Sequence, residues 1–405
     1  MSAPSSPPAV RTGRGPAPLP PGAPSAAQLG LLTVLAVAVP AQLYLAIPMA
    51  PRFQEAFGVG PGAAAWSGSC FSLFYALGFL VFGPLADRTG HRPVLSWGTA
   101  ATALTTAALC LAPGYGWFLA LRAAQGLAAA SFAPVALAYI ARHTTDARRP
   151  AALSVLTTGL LGAGVAGQVL GQGVGGHGHW QAAFWLPAVL YAGAAAGLRI
   201  LLRPPVTDPS VSVRSASGVL RGLLRDRRAL AVFASALTVF GSFVALYAVL
   251  NPHLADAHGL SGGQVLAVQA IGAAGLLAAP VVHRFAGGRG PRGPAVAGFL
   301  TAGAGLLVAQ LTPVLPLLVL GSVVFVAGIG LTVPSLVGML HRIAPATATT
   351  AVAFNTFLLF VGASAGQLVA AYCGYRTTLG ICCAAVLVAA RAVAAAGRPP
   401  ADPAP

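Results

Sequence analysis

Gly83-Pro84-Leu85-Ala86-Asp87-Arg88-Thr89-Gly90-His91-Arg92 separates two nearly uncharged apolar runs, 63–83 and 94–113. Each run has about the twenty residues that a helix needs to cross the hydrocarbon core of a bilayer. Gly90 permits a tight reversal of the chain, and Arg88 and Arg92 favour retention on the inner side of a membrane. The stretch therefore reads as a short inner loop between two spanning helices.

Composition extends that reading to the whole chain. Of 405 residues, 57% are hydrophobic and 7% are charged, against about 25% charged in a soluble protein. So few charges cannot coat soluble domains, and so much apolar surface excludes a disordered chain. Apolar stretches recur near 29–50, 63–83, 94–113, 116–140, 152–173 and 181–201, then near 229–250, 262–283, 294–312, 314–338, 348–371 and 376–396. Without water to satisfy the backbone, each is expected to be a helix. The expectation is an all-α polytopic membrane protein with twelve transmembrane helices.

All 23 basic residues are arginine. With both termini cytoplasmic, twenty of them fall in inner loops, tails and inner helix ends, and only Arg52 and Arg376 fall outside. That bias follows the positive-inside rule. It also argues against nucleic acid, whose binding proteins gather charge on one folded face. The five cysteines sit inside apolar runs, with no disulfide or metal spacing. His177-Gly178-His179 lacks a third ligand nearby, so neither a metal nor a cofactor is expected.

The chain repeats itself at an offset of roughly two hundred residues. Gly167-Gln168 matches Gly366-Gln367, Pro134 and Arg142 match Pro334 and Arg342, and Gly78 and Gly90 match Gly275 and Gly287. Parallel repeats of six helices belong to secondary transporters with a site at the membrane midplane. The expected organisation is a disordered tail 1–27, six-helix bundles 28–202 and 229–397, an arginine-rich connector 203–228 between them, and a tail 398–405.

The quoted loop resembles the G-x-L-a-D-R-x-G-R-R signature of the major facilitator superfamily, with His91 in place of a basic residue. The resemblance runs over 29–396 and implies the two-bundle major facilitator fold. Its gate motif falls on Gly83, Asp87, Arg88, Gly90 and Arg92. Gly83 is expected to allow close helix approach. In the family the aspartate matching Asp87 braces the inner gate against span eleven and the loop after span four, which nominates Arg148 or Arg149 as its partner. Arg122-Ala123-Ala124-Gln125-Gly126 is similar to the R-x-x-Q-G element of the fourth helix. In span five, Gly167-Gln168-x-x-Gly171-Gln172 matches the antiporter element G-P-x-x-G-G only in part, and helix packing accounts for most of its glycines. Leu260-Ser261 is similar to a pattern of arabinose-efflux-like members.

Arg122 is the one charge set within a span, where it costs at least ~2.5 kcal/mol unless it faces the bundle interior or a wet cavity. It can serve substrate or coupling, or bind the carbonyls of a neighbouring helix. The family architecture implies Gln42, Arg122, Gln125, Thr238, Tyr247 and Asn355 as cavity liners, with Gln168 and Gln367 at equivalent places in both halves. No Asp or Glu lies deep in a span. That absence excludes the paired carboxylates of an intramembrane enzyme. It also leaves only Asp87, Glu55, Asp256 or a histidine for proton coupling.

The resemblance implies export of a small organic molecule in exchange for protons, as in bacterial drug/proton antiporters. The alternative is uptake or exchange of a small anionic or neutral metabolite without a proton cycle. Expected partners are a small-molecule substrate, protons and membrane lipid, with the chain a monomer. The absence of lysine, with abundant alanine, glycine and arginine, points to a GC-rich bacterial genome and so to the bacterial plasma membrane.

Overall fold

The computed structural model describes residues 25–175, 180–204, 213–277 and 290–396. The first half contains α1 (Ala26–Phe57), α2 (Pro61–Thr89), α3 (His91–Leu109), α4 (Tyr115–Ala129), α5 (Ala133–His143), α6 (Arg149–Gly175) and α7 (Ala182–Leu201). A short α8 (Val213–Leu223) lies in the connector. The second half contains α9 (Arg227–His258), α10 (Gly262–Ala273), α11 (Arg292–Leu311), α12 (Leu315–Ile343), α13 (Ala348–Tyr372) and α14 (Tyr375–Ala396). Most of the expected tails, 205–212 of the expected connector, His177 to His179 and Gly287 lie outside the described residues, while Ala26 and Ala27, expected in the disordered tail, open α1.

Local chemistry sets the helix ends. Ser25 caps α1 by accepting from the Gln28 backbone, while the Gln28 side chain accepts from the Ser25 backbone, which satisfies two otherwise unpaired amides. Asp226 caps α9 by accepting from the Arg228 backbone at 2.7 Å. Gly90, at φ 94°, makes the turn from α2 into α3. Pro134 lies in the first turn of α5; it lacks an amide hydrogen, and the apolar length 115–143 is broken into α4 and α5.

Among the described residues, ten helical lengths are long and apolar enough to cross a membrane. Of the other two expected spans, the third is present as a helix and the eighth is described only in part. The third, α3, is diluted by Ser96, Thr99, Thr102, Thr105 and Thr106, and packs along α4 and α7. Of the eighth, the described part is α10 followed by a short 3-10 turn that ends at Leu277.

Interior packing falls mainly into one cluster from residues 32–202, joined by Val244, Phe360 and Ala363 of the second half, and another from 223–393. Large apolar side chains such as Trp97, Leu104, Leu111, Val189, Ile200 and Val388 face outward, as suits a hydrocarbon solvent.

The sequence repeat reappears as repeated packing. A Cβ on Gly167 in α6 would run into the Ala41 carbonyl of α1, and one on Gly366 in α13 would run into the Gly241 carbonyl of α9. Both crossings therefore demand glycine for close backbone approach. Gly83 is a correction, because nothing lies within 4 Å of where its Cβ would be. Its missing side chain points away from the neighbouring helices and brings no helix closer.

Candidate functional site

Where α1 ends and α2 begins, and where α9 ends and α10 begins, a cavity of ≈ 620 Å³ opens between the halves. Its wall is mainly alanine and proline with Ile47, Leu260 and Val265; the polar members are Gln54, Ser67, Gln172, Asn251, Asp256 and Gln367. Asp256, which is exposed, is the one ionisable residue among them. The wall proline Pro252 lies inside α9, as Pro48 and Pro51 lie inside α1.

Amides tie the wall across the halves. Asn251 of α9 donates to Gln168 Oε1 of α6 at 3.1 Å and accepts from Gln269 of α10 at 2.6 Å. Gln367 of α13 packs against Gly68 of α2, where any side chain on Gly68 would collide with it. Ser69 donates to the Ser364 carbonyl at 3.0 Å, Ser364 donates back to the Ser69 carbonyl at 3.1 Å, and Ser72 donates to the Phe360 carbonyl at 2.7 Å. These three bonds zip α2 to α13.

Aromatic rings interlock where the two halves meet. Phe360 stands edge-on to Tyr75 at 4.7 Å and to Phe240 at 5.3 Å, and stacks on Phe79 at 5.5 Å. Tyr44 meets Phe243 edge-on at 6.1 Å. On the cavity side of the first half, Trp180 packs against Phe53, Phe118 and Phe184.

Arg122 is wholly buried behind this wall. It donates through Nε to the Ser67 carbonyl at 2.9 Å, through Nη2 to the Gln42 carbonyl at 2.9 Å and through Nη1 to Gln125 Oε1 at 2.6 Å. Its guanidinium also lies over Phe71 at 4.6 Å. Gln125 donates to Thr106 at 2.8 Å and to Gln42 Oε1 at 3.3 Å. The fork therefore pins α1, α2 and α4 together, as the planar geometry of arginine allows.

Gln367 alone of the eight predicted substrate or coupling residues is on the cavity wall. Gln42, Arg122, Gln125 and Gln168 lie just behind it. Tyr247 bonds Ser322 at 3.0 Å in the second-half core, and Thr238 donates to the Ser235 carbonyl of its own helix at 2.9 Å. Asn355 is buried, with neither side-chain amide atom partnered among the described residues. Sequence reasoning passed over Ser67 and left Gln172 and Asn251 unselected among many polar candidates. Gln172 follows Gln168 by one helical turn, as Asn251 follows Tyr247, and that spacing was the available signal.

The gate motif lies at the opposite end, about 33 Å along α2 from the cavity residue Ala65 at the usual helical rise. Asp87 accepts from Arg142 Nη2 at 2.7 Å. Neither Arg148 nor Arg149 is its partner: Arg149 pairs with Asp146 at 2.8 Å. Arg142 ends α5 and so faces the end of α2 directly, while Arg149 begins α6 beyond the turn. Buried His91 sits beside this pair and near His143. Burial first, and then the positive Arg142, push its pKa down to about 4, although Asp87 opposes the shift.

The sequence profile of the Major Facilitator Superfamily matches residues 32–367. The chain belongs to the Major Facilitator Superfamily. Among superfamily relatives, YybF of Bacillus subtilis, an uncharacterized MFS-type transporter, is 27% identical over 207 residues, 51% of each chain. The chain thus spans about half the length of that relative. The uncharacterized MFS-type transporter YceJ of the same organism is 24% identical over 349 residues, 83% of this chain and 86% of that one. The multi-drug resistance efflux pump PmrA of Streptococcus pneumoniae is 31% identical over 140 residues, 34% of each chain. A bacterial homolog of the human lysosomal transporter Spinster, crystallised inward-facing and occupied, shares the fold with a TM-score of 0.70 at 18% identity, covering 91% of this chain and 96% of that one. The chain is thus a multi-pass membrane protein of the superfamily, and the relatives it resembles are named as transporters.

Proposed function

We propose that this transporter exports a small organic molecule across the bacterial plasma membrane in exchange for protons. It works as a monomer with both termini cytoplasmic, its bundles 28–202 and 229–397 rocking about the central cavity. The observation that carries the proposal is the mainly apolar cavity shared by both halves, open at one end, with interlocked rings where the halves meet. By the arginine bias the open end faces outward. Small apolar walls suit loosely specified organic cargo, and relatives named as efflux pumps support the direction. Asp256, the one carboxylate among the described wall residues, carries the coupling near the mouth. Asn355, buried with an amide that has no partner among the described residues, joins the path when the opposite end opens.

The test uses purified protein in liposomes with an imposed pH gradient, an internal pH-sensitive dye, and a panel of neutral, anionic and cationic compounds. Antiport predicts that at least one compound dissipates the gradient and that Asp256→Asn abolishes this. The absence of a carboxylate deep in any span favours a second reading, exchange of a neutral or anionic metabolite without protons. Labelled compounds that cross while the dye stays silent would establish that reading in place of antiport.

A further inference from the structure

Three polar atoms on or behind the cavity wall are buried and lack a partner among the described residues: Ser67 Oγ, Gln172 Oε1 and Gln367 Nε2. Ser67 is 1% exposed and Gln367 6%. Leaving such an atom unsatisfied costs about 1–3 kcal/mol, and binding sites place a few such groups in apolar walls to orient ligands. Gln367 Nε2 donates, Gln172 Oε1 accepts, and the Ser67 hydroxyl can do either. If both amides were turned over, the wall would still offer one donor and one acceptor.

Charge narrows the ligand further. Among the described residues that line the cavity none is cationic, and the guanidinium of Arg122 is spent on two carbonyls and Gln125. An anion would find no counter-charge in the wall. A cation would find only Asp256, which is exposed and still hydrated. A neutral ligand loses least on entering such a wall.

Resting on the cavity being the transport site, we infer that it selects uncharged molecules with an amide-type edge, one donor beside one acceptor, on an apolar body. Gln367 and Gln172, aided by Ser67, read that edge.

The experiment uses the full chain in lipid nanodiscs and three probes with one fluorophore: uncharged dansyl amide, anionic dansyl glycine and cationic dansyl cadaverine. Emission is titrated against empty nanodiscs. Dansyl amide is expected to bind at least about tenfold tighter than either charged probe. Gln367→Leu and Gln172→Leu are each expected to weaken it about three- to tenfold, the loss of one hydrogen bond. Monodisperse elution and an unchanged unfolding temperature qualify each variant. Because Gln367 is tightly packed, half-buried Gln172 decides the matter if Gln367→Leu does not fold. Equal or tighter binding of a charged probe, unaltered binding by the qualified variants, or no binding of dansyl amide would overturn the inference. The liposome assay separates the two claims. Selective binding with no proton movement sinks antiport and leaves the ligand class standing, whereas proton-coupled export of a cation does the reverse.

Discussion

His91 has no hydrogen-bond partner for Nε2 among the described residues, and it lies beside Arg142, His143 and Asp87. Its pKa falls from 6.5 to about 4 on folding, so the unfolded chain binds the proton more readily between those values. The stabilisation from keeping His91 neutral is therefore complete above about pH 6.5 and is lost as pH falls through about 4. Its full extent is about 3 kcal/mol, from the free energy of a one-unit shift. Unfolding temperatures of the detergent-solubilised protein should drop between pH 7 and pH 4.5, and His91→Gln should flatten that drop. A variant with the same pH dependence as the native chain would show that His91 is not its source. Arg122 shows the limit of legibility at this scale. That it must be buried and satisfied followed from one charge inside an apolar run. Which atoms satisfy it did not follow, because two of its three acceptors are backbone carbonyls, which carry no sequence signature.

At the scale of helices, the repeat was the most legible feature. Gly167 and Gly366 occupy matching crossings because the same backbone proximity is required twice. Gly366→Ala places a methyl group against the Gly241 carbonyl and should destabilise the protein by about 1–3 kcal/mol, as overpacking does. Gly83→Ala enters open space and should stay within about 0.5 kcal/mol of the native stability. Thermal unfolding in one detergent checks both, and equal effects would refute the packing assignment. The cavity wall was less legible for a physical reason. Helices apolar all round give no polarity contrast between a lipid-facing and a cavity-facing side, so Gln172 and Asn251 could not be ranked above Tyr247 or Thr238. The partner of Asp87 was misplaced by one turn of chain, because an arginine at a helix end and one just beyond it look alike until the helix boundary is known.

For the whole molecule, the cavity and the aromatic contacts between the halves describe one end open, with α2 and α13 zipped together by serine hydroxyls. Transport requires that the openings alternate. The most direct test is paired distance measurement by spin labels, with the five native cysteines replaced by alanine. One pair, Glu55→Cys with Ala257→Cys, spans the cavity mouth; the other, Thr89→Cys with His341→Cys, spans the opposite end. Distances are taken at pH 7.5 and 5.5, with and without dansyl amide. Alternating access predicts reciprocal populations: whatever fraction shortens across the mouth lengthens at the opposite end. Both ends widening together, or the mouth moving while the opposite pair keeps one fixed distance, would contradict transport through this cavity.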